Sequence, residues 1–231
     1  MSYLYQQRIS NKPFYTLGAA SYLDAAENLL EYYQISQKIN PILTENFDWL
    51  YKRLANTLET YLAAPVTYNS KFAQPGFHIF LSDKFFEQDI ANLHLDTQYL
   101  LLDWDNIESI DYQHPISFTL PISLPKYGAG ILVWDTKSDD ITNLPIAIND
   151  RVKEEKNYIT HINKPEIIKQ MKKCIFGCKK FFYGHELGKI TLQNNHMFHK
   201  IAPACNLQSD DKRITLQGHG LFCNGTWHLY W

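Results

Sequence analysis

No stretch of this 231-residue chain is apolar over the length of a membrane span. Its first eight residues, Met1-Ser2-Tyr3-Leu4-Tyr5-Gln6-Gln7-Arg8, are polar and lack the apolar run of a signal peptide. The expected location is the cytoplasm. Cysteine is scarce, with only Cys174, Cys178, Cys205 and Cys223, and without a secretion signal these are expected to stay reduced. Cys174-x3-Cys178 followed by His185 lacks a fourth ligand at zinc-site spacing. Charge of one sign is also scarce: the net charge is −2, so nothing global points to a polyanionic partner. No internal repeat or low-complexity tract breaks the chain.

What is present is the composition of a folded, aromatic-rich globular protein, 45% hydrophobic and 14% aromatic. The length fits one domain. Its N-terminal third, residues 1–65, reads as helical. Thr44 can cap a segment in which Phe47, Leu50, Tyr51, Leu54, Leu58, Tyr61 and Leu62 recur at helical spacing, and Pro65 ends it. A weaker helix is expected over 21–37, stopping near Pro41.

From Val66 onward short β-rich runs alternate with turn residues, at 77–82, 94–104, 116–123, 130–135, 181–185, 189–193, 213–217 and 225–231. Eight strands at this spacing predict a sandwich or jelly-roll core over 66–231. A long insert at 136–180 interrupts them and is a candidate lid. It overlaps a basic stretch, Arg151 to Lys189, with ten Lys and Arg against four Glu. That excess makes an anionic substrate an expectation; a solvated surface helix is the plainer alternative.

The stretch that organises the rest is Asn92 to Tyr99. On an extended backbone His94 and Asp96 would share a face, with Leu93 and Leu95 turned the other way. Fe(II) accepts both ligand types, and two histidines plus one carboxylate leave positions open for oxygen chemistry. The second histidine must come from elsewhere, and His196 and His199 both offer it. Further on, Arg213, Thr215 and Gln217 share one strand face. An inward guanidinium wants a carboxylate, none is near in sequence, and the partner can therefore be a ligand. His78 and His219 could line a pocket or be structural, whereas Trp104, Trp134, Trp227 and Trp231 read as core.

In this order of residues the chain resembles the iron(II)- and 2-oxoglutarate-dependent dioxygenases, over roughly residues 75–221. The matching features are His94-x-Asp96, Gly188 opening a strand, the distal His199, and Arg213 followed by Thr215. The resemblance implies an α+β protein in which N-terminal helices pack on a double-stranded β-helix. It implies that His94, Asp96 and His199 hold Fe(II), that Arg213 and Thr215 hold the distal carboxylate of 2-oxoglutarate, and that O2 is consumed. His199 is favoured over His196 by its offset from Gly188 and the Lys-Ile-Ala-Pro that follows it. His78, Gln217 and His219 are the candidate substrate contacts.

Asp96 argues against the halogenating branch of the family, which has a small residue there. His219, where the nucleic-acid-repair branch has a second arginine, argues against a nucleobase substrate. The expected reaction is hydroxylation of an unactivated carbon of a small molecule, an amino acid or natural-product intermediate, with release of succinate and CO2. The rivals are a cupin-like metalloenzyme that uses no keto acid and a non-catalytic jelly-roll binding module.

Overall fold

The computed structural model describes residues 5–89, 91–105, 107–136, 165–194 and 197–231. It is mostly β-sheet with a few helices, an arrangement consistent with a jelly roll. Its spine is β10 (Lys212–Cys223), which pairs along its length with β5 (Ile110–Ser123) on one side. On the other side β4 (Gly76–Leu81) takes its first half and β11 (Thr226–Tyr230) its second. The sheet continues from β4 through β2 (Lys12–Leu17) to β1 (Tyr5–Ile9), from β11 to the parallel β3 (Val66–Tyr68), and from β5 to β8 (Thr191–Asn194). Asn224 and Gly225, with φ of 47° and 80°, turn β10 into β11 with Cys223 opposite Thr226. Both residues have the positive φ that a two-residue hairpin of the right twist requires.

A second sheet orders β7 (Lys180–Tyr183), β6 (Ile131–Trp134) and β9 (His199–Ile201). An antiparallel bridge between His94 and His199 extends it. The expected strand over 94–104 is therefore not formed. Leu95, Asp96 and Thr97 are all buried, which no two-faced strand permits, and Gln98–Leu101 is a 3-10 turn that sends Tyr99, Leu102 and Trp104 into one core cluster.

The N-terminal reading needs two corrections. Residues 5–17 form a β-hairpin, not helix. The two expected helices join in α1 (Leu29–Leu62), but the break between them is a kink at Phe47, and Pro41 lies inside the first. An interior proline costs about 3 kcal/mol. Burial of Ile39 and Leu43 on either side of it, each contributing about 1.5–3 kcal/mol, offsets that. Asn40 adds a clamp, donating to the Phe72 carbonyl and accepting from the Gln74 amide. Asn28 caps the start, and the Thr44 hydroxyl, expected to cap, instead bonds Gln74. The face of α1 carrying Leu43, Leu50, Leu54 and Leu58 joins Phe77, Phe118, Leu216 and Leu229 of the large sheet in the main core.

Of the expected lid, residues 137–164 lie outside those described, as does His196. The part that follows is α2 (Pro165–Cys174), whose Met171 packs against Leu95 and Phe198, beside the histidine bridge. No helix among the described residues is long and apolar enough to cross a membrane.

Candidate metal centre

The bridge that ends the second sheet sets the geometry of the site. His94 and His199 exchange both backbone hydrogen bonds, N to O distances of 3.0 and 3.1 Å, so their side chains leave the same face with ring centroids 4.3 Å apart. Asp96, two residues on, turns its carboxylate back between them. Its oxygens lie 3.8 Å from His94 Nε2 and 3.3 Å from His199 Nε2. One ligand atom from each of the three lies within 4.8 Å of the others. The two residues sequence alternation placed together do meet, although a bridge and a bend bring them there.

Each imidazole is anchored from behind. His94 Nδ1 bonds the Asn92 carbonyl at 2.8 Å and His199 Nδ1 the Met197 carbonyl at 2.8 Å. Carbonyls only accept, so each Nδ1 carries a proton and each Nε2 is turned to the centre. Two amides hold the carboxylate: Gln98 donates to Oδ1 at 3.2 Å and Gln193 to Oδ2 at 3.3 Å. Gln193 Nε2 also lies 3.1 Å from His199 Nε2. Burial alone would raise the Asp96 carboxyl, but His199 holds it well below the usual carboxylate range. Burial pushes His94 down to about 4, with His199 adding to it. For His199 burial is outweighed by Asp96, and its pKa rises. Two imidazoles tied back through Nδ1 and an ionised carboxylate, all aimed inward, are a donor set that fits a divalent metal with open positions, His199 giving up its Nε2 proton as the metal binds.

A cavity of about 510 Å³ opens from this triad between the two sheets. Its floor is the inner face of β10. Arg213, Thr215, Gln217 and His219 alternate along it, and the register places His78 beside Thr215 and Ser117 beside His219. Arg213 is 5% exposed. Its Nε donates to the Ala129 carbonyl at 3.2 Å and one terminal nitrogen to Thr215 Oγ1 at 3.3 Å, while Phe80 lies under the guanidinium. Among the described residues no carboxylate pairs with it. Burial lowers its pKa to about 10, so it stays charged. His78 Nε2 bonds the Tyr22 hydroxyl at 2.8 Å, and burial, with Arg213 nearby, lowers the ring to about 3.

All eight candidate residues read from sequence thus reach one region. His94, Asp96, Arg213, Gln217, His78 and His219 line the cavity, His199 stands behind them against Asp96 and His94, and Thr215 lies under the wall, bonded to Arg213 and Gln217. Sequence reasoning missed Gln193, Gln98 and Tyr22. Gln98 continues the His94-x-Asp96 spacing by one more step, a usable signal. Gln193 is a strand and a turn away from His199, and Tyr22 sits on a π-helical turn, Ser21–Ala25, fixed by the Arg8–Asp24 ion pair; nothing local marks either. Trp231, expected as core, is buried and also lines the cavity. The described lysines between 165 and 189 are exposed and none lines the cavity; Arg151, Lys153, Lys156 and Lys164 lie outside the described residues.

No family model matches the chain, and no curated protein matches it. Among solved structures it is similar to dioxygenases. One is an N-substituted L-amino acid dioxygenase from Burkholderia ambifaria AMMD, with a TM-score of 0.53 and 15% identity over 88% of this chain and 70% of that one. A structure of that kind of enzyme in complex with alpha-KG gives a TM-score of 0.50 and 16% identity over the same shares. At such identities the likeness is one of fold.

Proposed function

We propose that this chain is an iron(II)- and 2-oxoglutarate-dependent oxygenase, a single cytoplasmic domain whose two sheets form the double-stranded β-helix of that family. The reaction is hydroxylation of an unactivated carbon of a small molecule, with release of succinate and CO2. One observation carries the reading. A triad of two histidines and a carboxylate, both imidazoles anchored through Nδ1 with Nε2 turned inward, borders a cavity that also holds a buried guanidinium with no carboxylate partner among the described residues.

His94, Asp96 and His199 would hold the iron, which supplies oxygen activation coupled to oxidation of the keto acid. The rest falls to the chain. The Asn92 and Met197 carbonyls keep both imidazoles in the ligating tautomer, and Gln98 and Gln193 keep the carboxylate turned inward. An unpaired buried charge costs about 3–5 kcal/mol, which a carboxylate arriving at Arg213 relieves. Thr215 Oγ1 already accepts from Arg213 and from Gln217, so its own proton is left to donate to that carboxylate. His78, Gln217 and His219 line the remaining floor and meet the substrate. The apolar walls exclude water from the reacting atoms.

Iron- and 2-oxoglutarate-dependent succinate formation tests the reading. Arg213→Ala is expected to lower it by about a hundredfold or more, as loss of a buried charge-assisted pair does, with metal binding at the triad retained. A rate unchanged in that variant, or no succinate from the wild type with any substrate, would favour the cupin-like alternative.

A further inference from the structure

We infer that the molecule oxidised is uncharged and largely apolar, an aliphatic or aromatic compound carrying at most a hydroxyl or carbonyl, not an amino acid or other charged metabolite. This rests on the oxygenase reading above.

The inference comes from the charges that line the cavity. Among the described residues only Asp96, Asp211, Lys212 and Arg213 carry one, the histidines aside. Asp96 is committed to the triad and Arg213 to the cosubstrate. Asp211 and Lys212 are adjacent charges of opposite sign at the mouth, where Lys212 is exposed and the Asp211 carboxylate accepts from the Gln208 amide. Burial lowers the ring pKa of each of His78, His185 and His219, so all three are neutral at pH 7. A carboxylate or ammonium brought in on the substrate would therefore lie buried without an opposite charge among the described residues.

The remaining wall is built for the opposite kind of guest. Phe14 stacks on Phe80 at 4.2 Å between ring centroids, and Phe86 meets Phe80 edge-on at 5.1 Å. Across from them Ile131, Ile201 and Pro203 close the space. The polar atoms still unbonded among the described lining residues include His78 Nδ1, His219 Nδ1 and Ser117 Oγ, each able to make a hydrogen bond to a neutral group and none able to neutralise an ion. About 510 Å³ is the size of a pocket for a drug-sized ligand, with room for a second organic molecule beside the cosubstrate.

The test uses three compounds that share one ring system and differ in charge: 2-naphthylmethanol, 2-naphthoate and 2-naphthylmethylamine. Calorimetry first measures 2-oxoglutarate binding to the full chain loaded with Co(II). Each naphthyl compound is then titrated at saturating 2-oxoglutarate, so that Arg213 is occupied. The alcohol is expected to bind at least about tenfold more tightly than the acid or the amine. Phe86→Lys, or Leu207→Lys nearer the mouth, is expected to reverse the order of alcohol and acid, with Co(II) binding showing that the variant is folded. Equal or tighter binding of the acid or amine to the wild type, or binding of none of the three, overturns the inference and leaves the oxygenase reading standing. Failure of 2-oxoglutarate to bind in the first titration overturns both.

Discussion

Gln193 is the side chain on which the precision of the triad most depends. Its amide bonds the Asp96 carboxylate and reaches His199 Nε2, yet it lies on β8, outside the bridge that carries the histidines. Residues that orient metal ligands from behind typically contribute 10–100-fold in metal affinity. Gln193→Ala is expected to weaken Co(II) binding by about that factor with little change in melting temperature, while Asp96→Ala abolishes it. Equal affinities for Gln193→Ala and wild type would show that Asp96 is held by Gln98 alone. At this scale the sequence was readable where chemistry is written in pairs: His94 with Asp96, Arg213 with Thr215. It was unreadable for Gln193, whose role comes from the placing of β8 beside the bridge, and for Tyr22, which a π-helical turn brings against His78.

At the scale of elements, β4 and the C-terminal segment depend on one close approach. The Trp231 ring lies over Gly76, where an added Cβ would come within 2.0 Å of it, and the Trp231 backbone is tied to Ala73 and to the Tyr32 hydroxyl. Gly76→Ala must push the ring out of its buried site. A loss of about 1–3 kcal/mol is expected, as overpacking a core costs. Chemical denaturation measures it, and a stability equal to wild type would mean the ring has space to move. Helical periodicity over 44–62 was legible because Leu50, Leu54 and Leu58 form one stripe. The passage of α1 through Pro41 was not, since the clamp from Asn40 to Phe72 and Gln74 is tertiary. Alternation misled at 94–104, where a 3-10 turn buries consecutive side chains.

For the whole molecule, buried neutral histidines set the response to acid. His78 titrates at about 3 and His185 at about 4, both lowered chiefly by burial from the usual 6.5. In the unfolded chain both take protons as pH falls through 6.5, while the folded protein cannot. Their stabilising effect is complete above about pH 6.5 and is lost progressively as pH falls toward 3. His94, His219 and His228, also lowered by burial, act in the same sense, and His199, raised by Asp96, is one group against five. The melting temperature of the metal-free protein is expected to fall steadily from pH 7 to pH 4, and less steeply in His78→Gln. A flat profile would mean these rings are solvated.

The central claim is that the bridge of His94 with His199, the turn at Asp96 and the guanidinium of Arg213 together form one site for iron(II) and a keto acid. The most direct measurement is the visible spectrum of the protein under anaerobic conditions, titrated with Fe(II) and 2-oxoglutarate. A weak charge-transfer band that needs both additions, saturates at one equivalent of iron and is absent in His199→Ala is the expected result. No band in the wild type, or an undiminished band in His199→Ala, would contradict it.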